Sequence, residues 1–169
     1  RKILVTCPLY HDIDRELIRL AMARQFHCSI CSPDALDYIS DVLREKYDAE
    51  NPARLRLHLK VDTGMSRLGC NVKDAAFLAE AVSESRYVKL AGIYSHMATA
   101  DDDPDFATEQ LAAYHRVLNQ TNQWTGFRSV IKHFSNTSGT IALPQARFDM
   151  VRCGIGLYGY TNLPAELEA

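Results

Sequence analysis

The chain has 169 residues, of which 47% are hydrophobic and 24% charged, and a formal net charge of -2. That balance describes one ordinary globular domain with a sizeable core. Lys and Arg are scattered, so nothing marks a nucleic-acid or anionic-membrane surface, and no run approaches the ~18 apolar residues of a membrane span. No signal-peptide pattern opens the chain, and a cytoplasmic protein is expected.

Apolar, β-branched runs predict strands at residues 3–6, 27–31, 55–62, 88–95, 129–134 and 150–158. Helix patterns lie between them. Residues 14–24 place Leu17, Ile18, Ala21 and Met22 on one stripe, and residues 35–47 follow Ser32-Pro33, a cap residue with Pro at the first helical position. Asn71 is placed to cap a helix over 73–86, with Asp74 positioned as in a capping box. Asp103-Pro104 opens a long helix to about Trp124, where Phe106, Leu111, Tyr114 and Leu118 share a face. Strand and helix alternate throughout, and the strands are nearly continuously apolar. That pattern implies a parallel sheet covered by helices, either a barrel or an open doubly wound sheet.

Five cysteines, Cys7, Cys28, Cys31, Cys70 and Cys153, are expected as reduced, buried thiols. Cys28 and Cys31 have redox-motif spacing but lie inside a strand pattern, and no second ligand pair has metal spacing, so no metal site is expected. The glycine patterns of dinucleotide and P-loop sites are absent. Polar residues gather instead at strand ends, at 62–67, 95–96, 136–138 and 152–154. Barrel enzymes place their chemistry there. In the segment HLKVDTGMSRLGC, residues 58–70, Leu59 and Val61 would face helices while Lys60 and Asp62 point into a barrel lumen. An inward lysine needs a partner or a modification that removes its charge.

LKVDTGMSRLG, GIYSHMATADD, HFSNTSGT and FDMVRCGIGLYGY, in this order, resemble four successive signature segments of the alanine racemase family. The family uses pyridoxal 5'-phosphate on a parallel (β/α)8 TIM barrel. The resemblance therefore implies an α/β fold in which residues 1–169 are a partial barrel domain with about six of eight strands. It implies alanine as substrate, D-alanine supply for peptidoglycan and a homodimer. Arg67 would approach the cofactor's phenolic oxygen and the substrate carboxylate. His96 would line the pocket and hydrogen-bond Arg152, which would face the pyridine nitrogen. The phosphate would be held by Asn136, Thr137 or Ser138, and by the backbone amides of Gly154 and Ile155. Lys60 matches a lysine that family members carry as a carbamate, a negative charge that would brace Arg67. The plain alternatives are a surface arginine, a satisfied core histidine and a glycine-rich strand end.

Two departures qualify the resemblance. Thr137 stands where the family has serine, and none of the six lysines lies in the V-K-A-N-A-Y-G-H-G type segment that carries the Schiff-base lysine. The second catalytic base, a tyrosine from the partner's C-terminal β domain, also has no counterpart. The chain alone is therefore expected to be inactive. A non-catalytic barrel remnant that binds a phosphate ligand or a partner chain remains open, as does a racemase for serine or another small amino acid.

Overall fold

The computed structural model describes residues 2–10, 15–45, 54–122 and 126–160. Its strands are β1 (Leu4–Pro8), β2 (His27–Ile30), β3 (Leu55–Asp62), β4 (Cys70–Asn71), β5 (Val88–Tyr94) and β6 (Ile131–His133). The helices are α1 (Arg15–Arg24), α2 (Pro33–Arg44), α3 (Ala75–Glu84), α4 (Pro104–Thr121) and α5 (Thr137–Ala142). All strand pairs are parallel, in the order β1-β2-β3-β5-β6, with the two-residue β4 beside the end of β3. Parallel neighbours require crossover connections, and α1 to α4 supply them.

The register sorts residues onto two faces. Cys28 pairs with Leu57 and Ile30 with Leu59. Leu57, Leu59 and Val61 are buried with Ile18, Ile39, Leu43, Leu78, Val82, Tyr114 and Val117 from the helices. Each such side chain removed from water contributes roughly 1.5–3 kcal/mol. On the opposite, inner face the same pairing aligns His27 with Arg56 and Ser29 with His58, while Tyr94 aligns with both Lys60 and His133. This polar inner face becomes the site.

Local signals explain most boundaries. Ser32 accepts a hydrogen bond from the Ala35 amide and Asp103 from the Phe106 amide, each just before a helix-opening Pro. The cap expected at Asn71 is not formed: Asn71 belongs to β4, α3 starts at Ala75, and Asp74 makes no side-chain cap bond. The expected strand over 150–158 is not formed either. Met150 makes a single bridge to His133, and residues 155–158 wind into a 3-10 turn, a path that Gly156 and the left-handed Gly159 permit. The expected start of the first helix at Asp14 and the expected ends of the second at Tyr47 and the fourth at Trp124 lie outside the described residues. All five cysteines are free, but Cys7 and Cys153 are exposed where burial was expected. Among the described residues no helix is long and apolar enough to cross a membrane, and no His, Cys, Asp or Glu group could hold a metal ion.

Gly92 is required by the inner face. A Cβ there would lie 2.2 Å from His58 Nδ1. Gly92→Ala should displace the His58 ring and cost about 1–3 kcal/mol in urea denaturation, whereas adding His58→Ala should recover part of the loss. Unchanged stability in Gly92→Ala would show that His58 does not occupy this notch.

Candidate functional site

Arg152 lies at the centre of the inner face, beyond the end of β6. It is half-buried and makes no ion pair with a carboxylate among the described residues. Its NH2 group donates to the carbonyls of Ser95 (2.7 Å) and Phe134 (3.0 Å), with a longer approach to His96 Nδ1 (3.4 Å). NH1 bonds to His133 Nδ1 at 2.8 Å, and the guanidinium carbon lies 5.0 Å from the Tyr94 ring centre. Nε–H and the second NH1 hydrogen find no acceptor among the described residues.

Below Arg152 runs a chain of imidazoles. His133 Nε2 meets His58 Nδ1 at 2.8 Å, and His58 Nε2 meets His27 Nδ1 at 2.9 Å. Tyr94 stacks on His133 with ring centres 4.6 Å apart, and its hydroxyl reaches the Ser29 hydroxyl and the Thr6 carbonyl. Burial, then the Arg152 charge, pushes His133 down to about 2. Burial, then His27 and Arg152, takes His58 down to about 4, and burial with Arg152, Arg67 and Lys60 does the same to His96. All three are neutral rings near pH 7.

The other expected residues fall into three groups. Lys60 is buried on the inner face with its Nζ 5.7 Å from the Tyr94 ring centre; burial first, then Arg67 and Arg152, lowers its pKa. Arg67 sits in the exposed loop after β3. That loop is fixed by Asp62, which accepts from the amides of Gly64 and Ser66 and so turns toward the loop. Asn136 caps α5 by accepting from the Gly139 amide. Thr137 Oγ1 accepts from the amides of Gly154 (3.0 Å) and Gly156 (3.2 Å). Gly156 is therefore the second amide that converges with Gly154 on Thr137 Oγ1, with Ile155 between them in the chain, while Ser138 is buried in the first turn of α5.

Sequence reasoning missed His27, His58, His133, Tyr94 and Gly156. A signal existed for His58, which shares a strand face with Lys60. The matching positions on β2 and β6 need the register, which no local pattern supplies.

These features define a parallel α/β barrel wall with a half-buried arginine beside a cluster of one hydroxyl and two glycine amides. Residues 1–162 match the family "Alanine racemase, N-terminal domain", and the chain belongs to that family. It is 43% identical over 106 residues to the alanine racemase of Chlorobaculum tepidum, covering 63% of this chain and 27% of that one. It is 33% identical over 150 residues to the alanine racemase of Nostoc sp., covering 88% and 38%. The crystal structure of alanine racemase from D-cycloserine-producing Streptomyces lavendulae superposes with a TM-score of 0.78 at 28% identity, covering 98% of this chain and 43% of that one. The chain thus spans about a third of the length of the curated relatives it matches.

The neutral histidines set a pH dependence. A group whose folded pKa lies below its unfolded value of 6.5 stabilises fully above that value and loses the contribution as pH falls toward the folded pKa. For His58 the window runs from about 6.5 to about 4, and His133 extends it downward. Each contributes up to about 1.4 kcal/mol per pH unit. The urea midpoint should fall steadily from pH 7 to pH 5; an equal or higher midpoint at pH 5 would contradict neutral, buried imidazoles.

Proposed function

We propose that this chain is the part of a pyridoxal 5'-phosphate-dependent alanine racemase that holds the cofactor's ring nitrogen and phosphate, and that it does not racemise alone. The observation that carries the reading is Arg152, a half-buried cation with no carboxylate partner among the described residues and with donors to spare. The cofactor fits these residues. Thr137 Oγ1 already places an acceptor oxygen where two glycine amides converge, and a Cβ at Gly154 would meet nothing within 4 Å, so there is room over that amide. When bound, the cofactor supplies the electron sink that makes an amino acid's α-proton removable.

Arg152 would donate to the ring nitrogen; burial lowers its pKa, with Tyr94 and Tyr114 opposing the shift, yet a guanidinium does not give up its proton in a protein and would hold it there. His96 would wall the ring as a neutral imidazole beside Arg152. Thr137, with the amides of Gly154 and its neighbours Ile155 and Gly156, would hold the phosphate, while Asn136 braces α5 beneath it. Arg67, on its loop near Lys60, would reach the substrate carboxylate. Exposed Leu157, Tyr158 and Tyr160 beside this cradle suit a surface covered by further protein. Alanine is the substrate proposed, and the intact enzyme a homodimer whose partner contributes the second base. Its setting is the cytoplasm, where D-alanine feeds peptidoglycan.

The chain should bind pyridoxal 5'-phosphate reversibly in equilibrium dialysis. Thr137→Val and Arg152→Lys should each weaken binding by about tenfold. Binding indifferent to both changes, or D-alanine formation by the chain alone, would defeat the reading.

Lys60 carries a second test. A buried amine with a lowered pKa beside Arg67 and Arg152 is poised to lose its proton and add carbon dioxide, forming a carbamate and releasing H+. Its negative charge would then accept from Arg67. With 13C-bicarbonate, the carbon NMR spectrum should show one protein-bound carbamate that Lys60→Ala abolishes. A spectrum without it would leave Lys60 an unmodified amine.

A further inference from the structure

The end of the sheet opposite the cofactor cradle holds a cleft of about 290 Å³ lined by Lys2, Arg24, Gln25, His27, Arg56 and Lys89, with Ala91, Ser129 and Ile131. Apart from Ala91 in the middle of β5, these residues sit before or at the starts of β1, β2, β3, β5 and β6, whereas the cradle lies beyond the strand ends. Four cations face the space, and no described Asp or Glu lines it. A solvated basic rim would also show four cations, so the floor of the cleft must decide.

That floor is His27, only 7% exposed. Its Nδ1 is held by His58, and its Nε2 meets no acceptor among the described residues. The proton on Nε2 is dictated from the other end of the imidazole chain. A guanidinium only donates, so His133 accepts on Nδ1 and carries its proton on Nε2. His133 therefore donates to His58 Nδ1, and His58 in turn donates from Nε2 to His27 Nδ1. His27 is left with its hydrogen on Nε2. An extra proton on any of the three rings would set two donors against each other. The cleft thus presents one fixed, nearly buried N–H and four cations, with no side-chain carboxylate among the described residues to answer them.

We propose that this cleft is a binding site for a phosphate-class oxyanion, with His27 Nε2–H as its floor donor and Arg56 and Lys89 as its cationic walls. A compact, multiply charged oxyanion fits because it accepts from a fixed N–H and from a guanidinium at once. The site is separate from the cradle at Thr137, and does not depend on the racemase reading.

The test titrates inorganic phosphate into the chain at low ionic strength and follows the His27 ring Cε1–H resonance. A saturable shift is expected, and Arg56→Gln and Lys89→Gln should each weaken the apparent affinity by about fivefold. Lys89 is exposed, so its variant keeps the fold intact. Thr137→Val, at the far end, should leave the His27 response unchanged and so separates this site from the cradle. Glycerol 3-phosphate run in parallel identifies the source: tighter binding than inorganic phosphate marks a phosphorylated metabolite, and equal or weaker binding marks the free anion. No saturable shift at His27, a response only to polyglutamate, or Gln variants that bind as tightly as the parent would overturn the proposal.

Discussion

A half-buried guanidinium with no counter-ion among the described residues constrains the whole inner face. Leaving Arg152 unanswered in low dielectric would cost several kcal/mol. The structure answers it with neutral acceptors, two carbonyls and the His133 imidazole, and with the face of Tyr94. This solution has a consequence for every ring in line. Arg152 repels protons from His133, His58 and His96, and burial acts in the same direction, so the rings stay neutral and remain acceptors toward the cation. The charge and the neutrality sustain each other.

The fold makes this arrangement possible through register. Parallel pairing of β2, β3, β5 and β6 brings His27, His58 and His133 onto one face at hydrogen-bonding distance, and the missing side chain at Gly92 gives His58 its space. Helix packing on the other face supplies the stability that a polar inner face does not. Because Arg152 follows β6 in an irregular segment, it is held by side chains and carbonyls more than by the sheet ladder, with one backbone bond from its amide to the Ser135 carbonyl. Strain on the histidines should therefore reach it.

Much of the scaffold was legible in the sequence. Strand runs such as LRLHLKVD and the caps Ser32-Pro33 and Asp103-Pro104 have strong local signals, and they form as expected. The segment over 150–158 misled because its apolar residues are strand-like while its glycines allow a tight turn that local period cannot foresee. Lys60, His96, Thr137, Arg152 and Gly154 could be singled out because they stand in recognisable segments at strand ends. The histidine chain could not be read this way. Period 2 shows that His58 and Lys60 share a face, but only the alignment of four strands, including a register shift between Leu57 and His58, brings the three rings into line. Likewise the amide that joins Gly154 belongs to Gly156, because the 3-10 turn bends it back toward Thr137.

Arg152 is held by neutral acceptors, and the ring protons of the histidines all lie on the side away from it. A nitrogen-15 NMR spectrum of the histidine-labelled chain at pH 7 reads this directly, since protonated and unprotonated ring nitrogens resonate far apart. Neutral rings are expected for His133, His58 and His27, each with an unprotonated Nδ1 and a hydrogen on Nε2. An imidazolium at His133 or His58, or a hydrogen on His133 Nδ1, would contradict this arrangement.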